Sequence, residues 1–122
     1  MFGLLRKPRL RARLSDAKGV SDEFAREITL SGRLTLVNEG GDAEVGGTEM
    51  MIIAGFRRIP LEVPREWRAL HVPGGGLIER DLRWTLTLDA PLRAPAGELY
   101  VALGDQKRHR WEWRLPFVFE LR

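Results

Sequence analysis

The stretch His71-Val-Pro-Gly-Gly-Gly-Leu77 has the residue types of a reactive loop: an imidazole followed by three glycines whose amides can hold an oxyanion or a phosphate. The rest of the chain does not supply the partners such chemistry requires. A phosphate-cradling loop needs Lys and Ser/Thr directly after its last glycine. Here Gly76 is followed by Leu77, Ile78, Glu79 and Arg80. A dinucleotide fingerprint fits Gly74 and Gly76, but Glu79 occupies its third glycine and no helical pattern follows. An esterase-type oxyanion loop needs a Gly-x-Ser-x-Gly elbow, and Ser15, Ser21 and Ser31, the three serines, are not so placed. The triple glycine reads as a flexible connection between strands.

Metal chemistry lacks ligands. There is no cysteine, and His71 and His109 are the two imidazoles, the second held between Arg108 and Arg110. Asn38, Asp42 and Glu44 have the alternate spacing of a calcium loop, but Gly40 stands where a ligand is needed. Glu79 and Asp81, two apart on one strand face, form a carboxylate pair of the kind used in acid–base catalysis. Charged sheets carry many such pairs on their solvated faces. The expectation is a non-enzymatic protein with no cofactor and no metal.

Two basic stretches point to binding instead. Residues 1–13 carry Arg6, Lys7, Arg9, Arg11 and Arg13 and no acid, whereas the other 109 residues hold 15 basic and 17 acidic groups. The formal net charge of +3 therefore comes from a basic N-terminal arm on a nearly neutral body. Phe2, Leu4 and Leu5 precede those cations, a composition suited to an anionic membrane surface and equally to a phosphate backbone. The same arginines also suit the solvated face of a first strand built on Leu10, Ala12 and Leu14. The second stretch is Lys107-Arg-His-Arg-Trp-Glu-Trp-Arg114, where Lys107, Arg108 and Arg110 are the candidate contacts. Tryptophans among cations can stack on bases, but Trp111 and Trp113 share the phase of Leu115, Phe117 and Phe119 and so should face the core.

The elements that position these residues show two-residue alternation, the period of a half-buried strand. Residues 28, 30, 34 and 36 are apolar, with Gly32 on the same phase, expected at a bulge or a close crossing. Residues 48–56 form a continuous apolar strand, and Leu82, Trp84, Leu86 and Leu88 alternate again, as do Leu99, Val101 and Leu103. Pro60 and Pro64 mark Ile59–Val63 as an edge strand, and Pro116 falls on an outward phase, a bend or an unpaired edge. Residues 38–42 and 104–108 read as turns, 89–97 as a connector between sheets, and 21–27 as a candidate helical turn capped by Ser21 or Asp22. Seven or so strands in 122 residues predict an all-β chain, a single antiparallel β-sandwich of immunoglobulin-like type. Residues 1–13 are the arm or first strand, and residues 14–122 the sandwich domain. No run approaches the ~20 apolar residues of a membrane span, and "MFGLLRKP" is too short a start for a secretory signal, so the cytoplasm is the expected location.

Three stretches carry a family likeness: Ser31-Gly-Arg-Leu-Thr-Leu36, Trp84-Thr-Leu-Thr-Leu-Asp-Ala-Pro-Leu92 and Gly97-Glu-Leu-Tyr-Val-Ala-Leu103. With the "FGLLRK" beginning, they give a chain that resembles the arrestin-like superfamily, including its bacterial sporulation-control proteins. The resemblance implies a non-enzymatic adaptor built of two tandem sandwiches. This chain has length for one, and no binding residue carries over from the family. The expected function is thus a binding or scaffolding module that meets a protein partner or another copy of itself through sheet edges and loops, beside an anionic membrane surface or free of one. The alternative is a nucleic-acid binder that uses the basic arm.

Overall fold

The computed structural model describes residues 6–122, so Phe2, Leu4 and Leu5 of the arm lie outside the described residues. Eight strands account for most of it: β1 Leu10–Asp22, β2 Glu27–Asn38, β3 Ala43–Ala54, β4 Arg57–Leu61, β5 Ala69–Val72, β6 Leu77–Thr87, β7 Ala96–Asp105 and β8 Arg110–Leu121. A short 3-10 turn, Arg65–Trp67, lies between β4 and β5. The strand order is β4-β3-β7-β8-β1-β2-β6, with β5 also paired to β3.

The chain is all-β, but its strands form one curled, open sheet where two separate antiparallel layers were expected. The joint is a short parallel seam in which Gly19, Val20 and Ser21 of β1 meet Phe119, Glu120 and Leu121 of β8. A bulge in β1 makes this possible. Its register to β2 shifts between Ser15 and Lys18, where Asp16 takes a positive φ of 52°. A bulge bends its strand and raises its twist, so the last third of β1 swings onto β8 while still paired with β2. Gly32 lies across from the bulge, where an added Cβ would stand 3.0 Å from Leu14 Cδ1 and 3.3 Å from the Ala17 Cα.

The concave side holds the core. Ile28, Leu30, Leu34 and Leu36 of β2, Leu82 and Trp84 of β6, Ile52 of β3, Leu99, Val101 and Leu103 of β7 and Phe117 and Phe119 of β8 are buried there. Trp111, Trp113 and Leu115 pack against this cluster half-buried, while Leu121 at the end of β8 is exposed. Alternating side chains could reach this arrangement in only one register, because a slip by one residue turns every apolar group outward.

Residues 21–27 form no helical turn. Ser21 ends β1 with its hydroxyl donating to the Leu92 carbonyl at 2.7 Å, so it is not free to cap. Asp22 Oδ1 accepts the Ala25 N–H at 3.1 Å, closing a tight hairpin turn before β2. At the sheet margins, β4 is an edge as its prolines suggest, with Pro60 opposite Met51. The other margin is β6, eleven residues long and paired with β2 alone.

Candidate functional site

The residues singled out in the sequence converge at one end of the sheet. There the chain before β1, the β2–β3 turn (39–42), the β5–β6 turn (73–76) and the β7–β8 hairpin surround a cleft of about 670 Å³. Arg6, Lys107, Glu39, Asp42, Glu44 and Asp105 bring charge to it, and Gly40, Gly41, Gly74 and Gly75 form much of its wall.

Asn38 organises this end. Its side chain is fully buried. The amide nitrogen donates to the carbonyls of Gly41 at 2.7 Å and Val72 at 3.0 Å. The amide oxygen accepts the N–H of Gly40 at 2.9 Å and of Arg9 at 3.2 Å. Its backbone completes the link, accepting the Gly75 N–H at 2.8 Å and donating to the Gly76 carbonyl at 3.0 Å. One residue thus ties the arm, the β2–β3 turn and the glycine loop together. Its four side-chain partners leave it no capacity as a calcium ligand.

The glycines serve close approach of backbones. The Gly41 N–H donates to the Lys7 carbonyl and the Glu39 N–H to the Arg9 carbonyl, so residues 7–9 lie along the turn. An added Cβ at Gly40 would stand 2.1 Å from the Lys7 oxygen, and one at Gly74 would stand 2.5 Å from the Gly40 oxygen. Asp42 Oδ1 accepts the Gly74 N–H at 2.7 Å. The amides that a phosphate or oxyanion would use are therefore bound to the protein's own oxygens. Gly40→Ala is expected to push the arm off the turn and lower stability by about 1–3 kcal/mol, the usual cost of overpacking. Limited proteolysis before β1 reads this directly, with cleavage near Lys7 and Arg9 faster than in the wild type.

His71 is on strand β5, and its Nδ1 lies 2.5 Å from Glu44 Oε1 on an exposed edge. The pair lacks a nucleophile: Ser15, Ser21 and Ser31 belong to β1 and β2, in the other half of the sheet. Among the described residues no group of three or more His, Asp or Glu side chains comes together as a metal ligand set. Glu79 and Asp81 do share the outer face of β6, but Arg33 sits between them, its Nε 3.8 Å and 3.2 Å from their carboxylates. The hydrogen bond to Asp81 raises the Arg33 guanidinium above its ordinary pKa. Thr35 Oγ1 also donates to Glu79 at 2.9 Å.

The basic candidates divide into two groups. Arg6 donates to the Glu39 carbonyl at 3.1 Å and Arg11 pairs with the Glu39 carboxylate at 3.1 Å. Arg110 lies on the outer face against Glu112 at 3.0 Å and Glu49 at 3.3 Å. Its hydrogen bonds to Glu112 and then Tyr100 raise the Arg110 guanidinium, and Arg110 in turn holds Glu112 below the usual carboxylate range. Lys7, Arg9, Arg13, Lys107 and Arg108 are exposed and form no ion pair among the described residues. Glu39 and Asp105 were not anticipated as organising residues: nothing local in the sequence marks that Glu39 faces a chain segment 28 residues away, and Asp105 reads only as part of the turn at 104–108.

Asp105 closes the β7–β8 hairpin. It accepts the N–H groups of Lys107 at 3.0 Å and His109 at 2.8 Å, and the His109 imidazole at 2.7 Å. Burial pushes its carboxyl up, but the hydrogen bonds from the His109 side chain and backbone, with that from Lys107, outweigh this and hold it below the ordinary value. A depressed carboxyl stabilises the fold above the unfolded pKa of about 3.9, and that contribution disappears as pH falls through the lower folded value. Asp105→Asn is expected to be about 1 kcal/mol less stable than wild type at pH 7. Urea denaturation at pH 7 and pH 3 should show the difference shrinking at the acid end.

No protein-family model and no curated protein matches this sequence. Solved structures match its shape. A Bordetella pertussis protein with the provisional name ApaA aligns over 93% of this chain and 94% of its own, with a TM-score of 0.62 and 15% identity. A structural-genomics target aligns over 88% of this chain and 83% of its own, with a TM-score of 0.53 and 14% identity. Spo0M, a sporulation control protein from Bacillus subtilis, aligns over 93% of this chain with a TM-score of 0.58 and 12% identity. The likeness is one of fold. Spo0M has an arrestin-like fold. The chain spans about half of Spo0M, 49% of its length.

Proposed function

We propose that this chain is a non-enzymatic binding module of arrestin-like type, its two half-sheets acting as the layers of a sandwich, and that it engages a protein partner through its sheet edges and loops. The observation that carries this is the open margin of the sheet. An edge strand of eleven residues presents unpaired amide and carbonyl groups, the template for strand addition. The loop end supports the same reading, because its glycine amides are already satisfied by the protein's own oxygens.

A polyanion is a poorer fit to the cleft. Glu39, Asp42, Glu44 and Asp105 line it beside Arg6 and Lys107, so phosphate would meet more negative than positive charge. The five cations without an ion pair among the described residues, of which Lys107 lines the cleft, leave a residual attraction to anionic surfaces that salt should screen. No helix among the described residues is long and apolar enough to cross a membrane. The cysteine-free composition suits a reducing compartment, and the cytoplasm is the location proposed.

The test is quantitative affinity capture with the wild type, with Lys7→Glu/Arg9→Glu and with Arg83→Glu on the free edge. Substitution replaces deletion of residues 1–13, since such a deletion removes Leu10–Arg13 from β1. The expected result is a protein held in stoichiometric amount by the wild type and lost from the edge variant. A chain that captures nothing but turns over a substrate, with activity abolished by His71→Ala or Glu79→Gln, overturns the reading.

A further inference from the structure

The free edge has a partner written into its own sequence. β6 contains neither proline nor glycine, unlike β4, which has five residues including Pro60. Among the described residues no backbone hydrogen bond reaches its outer side. Its inward phase is Ile78, Arg80, Leu82, Trp84 and Leu86, and its outward phase is Leu77, Glu79, Asp81, Arg83, Thr85 and Thr87. Outward from Leu82 in both directions, the strand is chemically self-complementary: Asp81 answers Arg83, Glu79 answers Thr85 and Ile78 answers Leu86.

We infer that β6 pairs antiparallel with β6 of a second copy of this chain, about a two-fold axis through Leu82. This deepens the edge-binding reading above, on which it rests, by naming the partner. Residues directly opposite in an antiparallel pair share a face. In this register Asp81 of each copy lies across from Arg83 of the other, giving two opposite-charge contacts and no like-charge one. Moving the axis one residue to Asp81 sets two aspartates against each other between two Glu79–Arg83 contacts, and moving it to Arg83 sets two arginines together with no opposite-charge contact. An axis at Arg80 opposes arginine to arginine and Glu79 to Asp81. An axis at Trp84 matches no charges. Placing the axis between residues would oppose inward side chains to outward ones, which the pleat forbids.

Two further features fit this register. Arg80 has the inward phase yet is exposed, and an inward-pointing charge on an edge discourages indiscriminate pairing. Leu77, 58% exposed and one of the few large apolar side chains left open to water, lies across from Thr87. The intramolecular Arg33 contact occupies Asp81 Oδ1 and leaves its second oxygen for the partner. Isologous pairing of this kind closes as a dimer and leaves the β4 edges at the two outer ends.

The test is sedimentation velocity over a concentration series on the wild type, Arg83→Glu, Asp81→Lys and an equimolar mixture of the two variants, each checked for the wild-type circular dichroism spectrum. The wild type should show a monomer–dimer equilibrium, and each variant alone should dimerise at least about tenfold more weakly, since its like charges now oppose. Mixing the two variants should restore the dimer, because each like-charge contact becomes an opposite-charge one. A wild type that stays monomeric to about 1 mM, variants that dimerise like the wild type, or a mixture that gains nothing overturns the inference. If a variant loses the native spectrum, an oxidised mixture of Glu79→Cys and Thr85→Cys chains decides, since the wild type has no cysteine. A heterodisulfide supports the register and its absence overturns it. A monomeric wild type that still captures another protein keeps the binding-module reading and overturns this one; a dimer with no other captured protein supports both, with the second copy as the partner.

Discussion

Trp67→Ala is expected to lower the unfolding free energy by about 4 kcal/mol, the cost of deleting a buried indole and leaving a cavity. Trp67 is fully buried within the core cluster although it lies in a three-residue 3-10 turn. Its carbonyl is fixed by the Thr48 hydroxyl at 2.5 Å, so the segment between β4 and β5 cannot easily follow a smaller side chain inward. Its indole Nε1–H has no hydrogen-bond partner among the described residues. An unsatisfied buried donor costs about 1–3 kcal/mol, and phenylalanine removes that donor while keeping most of the apolar area. Trp67→Phe is therefore expected to cost about 1 kcal/mol or less. Urea denaturation of both variants separates the contributions. Equal losses would show that the polar end of the ring is satisfied after all.

Asn38→Ala is expected to cost about 3 kcal/mol, because two buried carbonyls and two N–H groups lose their partner at once. Asn38→Asp distinguishes this from a loss of packing. Aspartate matches asparagine in shape and still accepts from Gly40 and Arg9. Where the amide donated to Gly41 and Val72, however, it sets a carboxylate oxygen against two carbonyl oxygens. The aspartate variant should be at least as unstable as the alanine variant at pH 7. If it retained wild-type stability, the donor half of the network would carry nothing.

Alternation made much of this sheet legible. The pattern at 28–36, 82–88, 99–103 and 111–119 marks strands with one buried face, and the proline at 60 marks an edge. Where alternation breaks, the reading stopped short. β3 begins at Ala43, five residues before the apolar run at Thr48, because Gly46 and Gly47 interrupt the pattern; a register shift between Gly46 and Glu49 carries the strand through them. β1 continues to Asp22 past the bulge at Asp16 and Ala17. The parallel seam joins residues about a hundred apart and has no local signature. Trp67 belongs to no periodic stretch, so its burial is a tertiary fact.

The site was legible in its parts and not in its assembly. His71, the glycine loop, the Asn-Glu-Gly-Gly-Asp turn and the basic arm each stood out, but the amide partners of Asn38 come from segments 29 and 34 residues away along the chain. The resulting account is that the arm's backbone lies against the Gly40–Gly41 turn and Asn38 ties the Gly74–Gly76 loop to it, so this end of the molecule is a fixed scaffold and the proposed binding is assigned to the open edge.

Amide hydrogen exchange of the wild-type chain, resolved at Arg9, Gly40, Gly41 and Gly75, tests that claim most directly. All four amides donate to acceptors within the network. They should be protected together in the wild type and lose protection together in Asn38→Ala. Exchange of these amides in the wild type at the rate of an unstructured peptide, with the β-strand amides still protected, would contradict it.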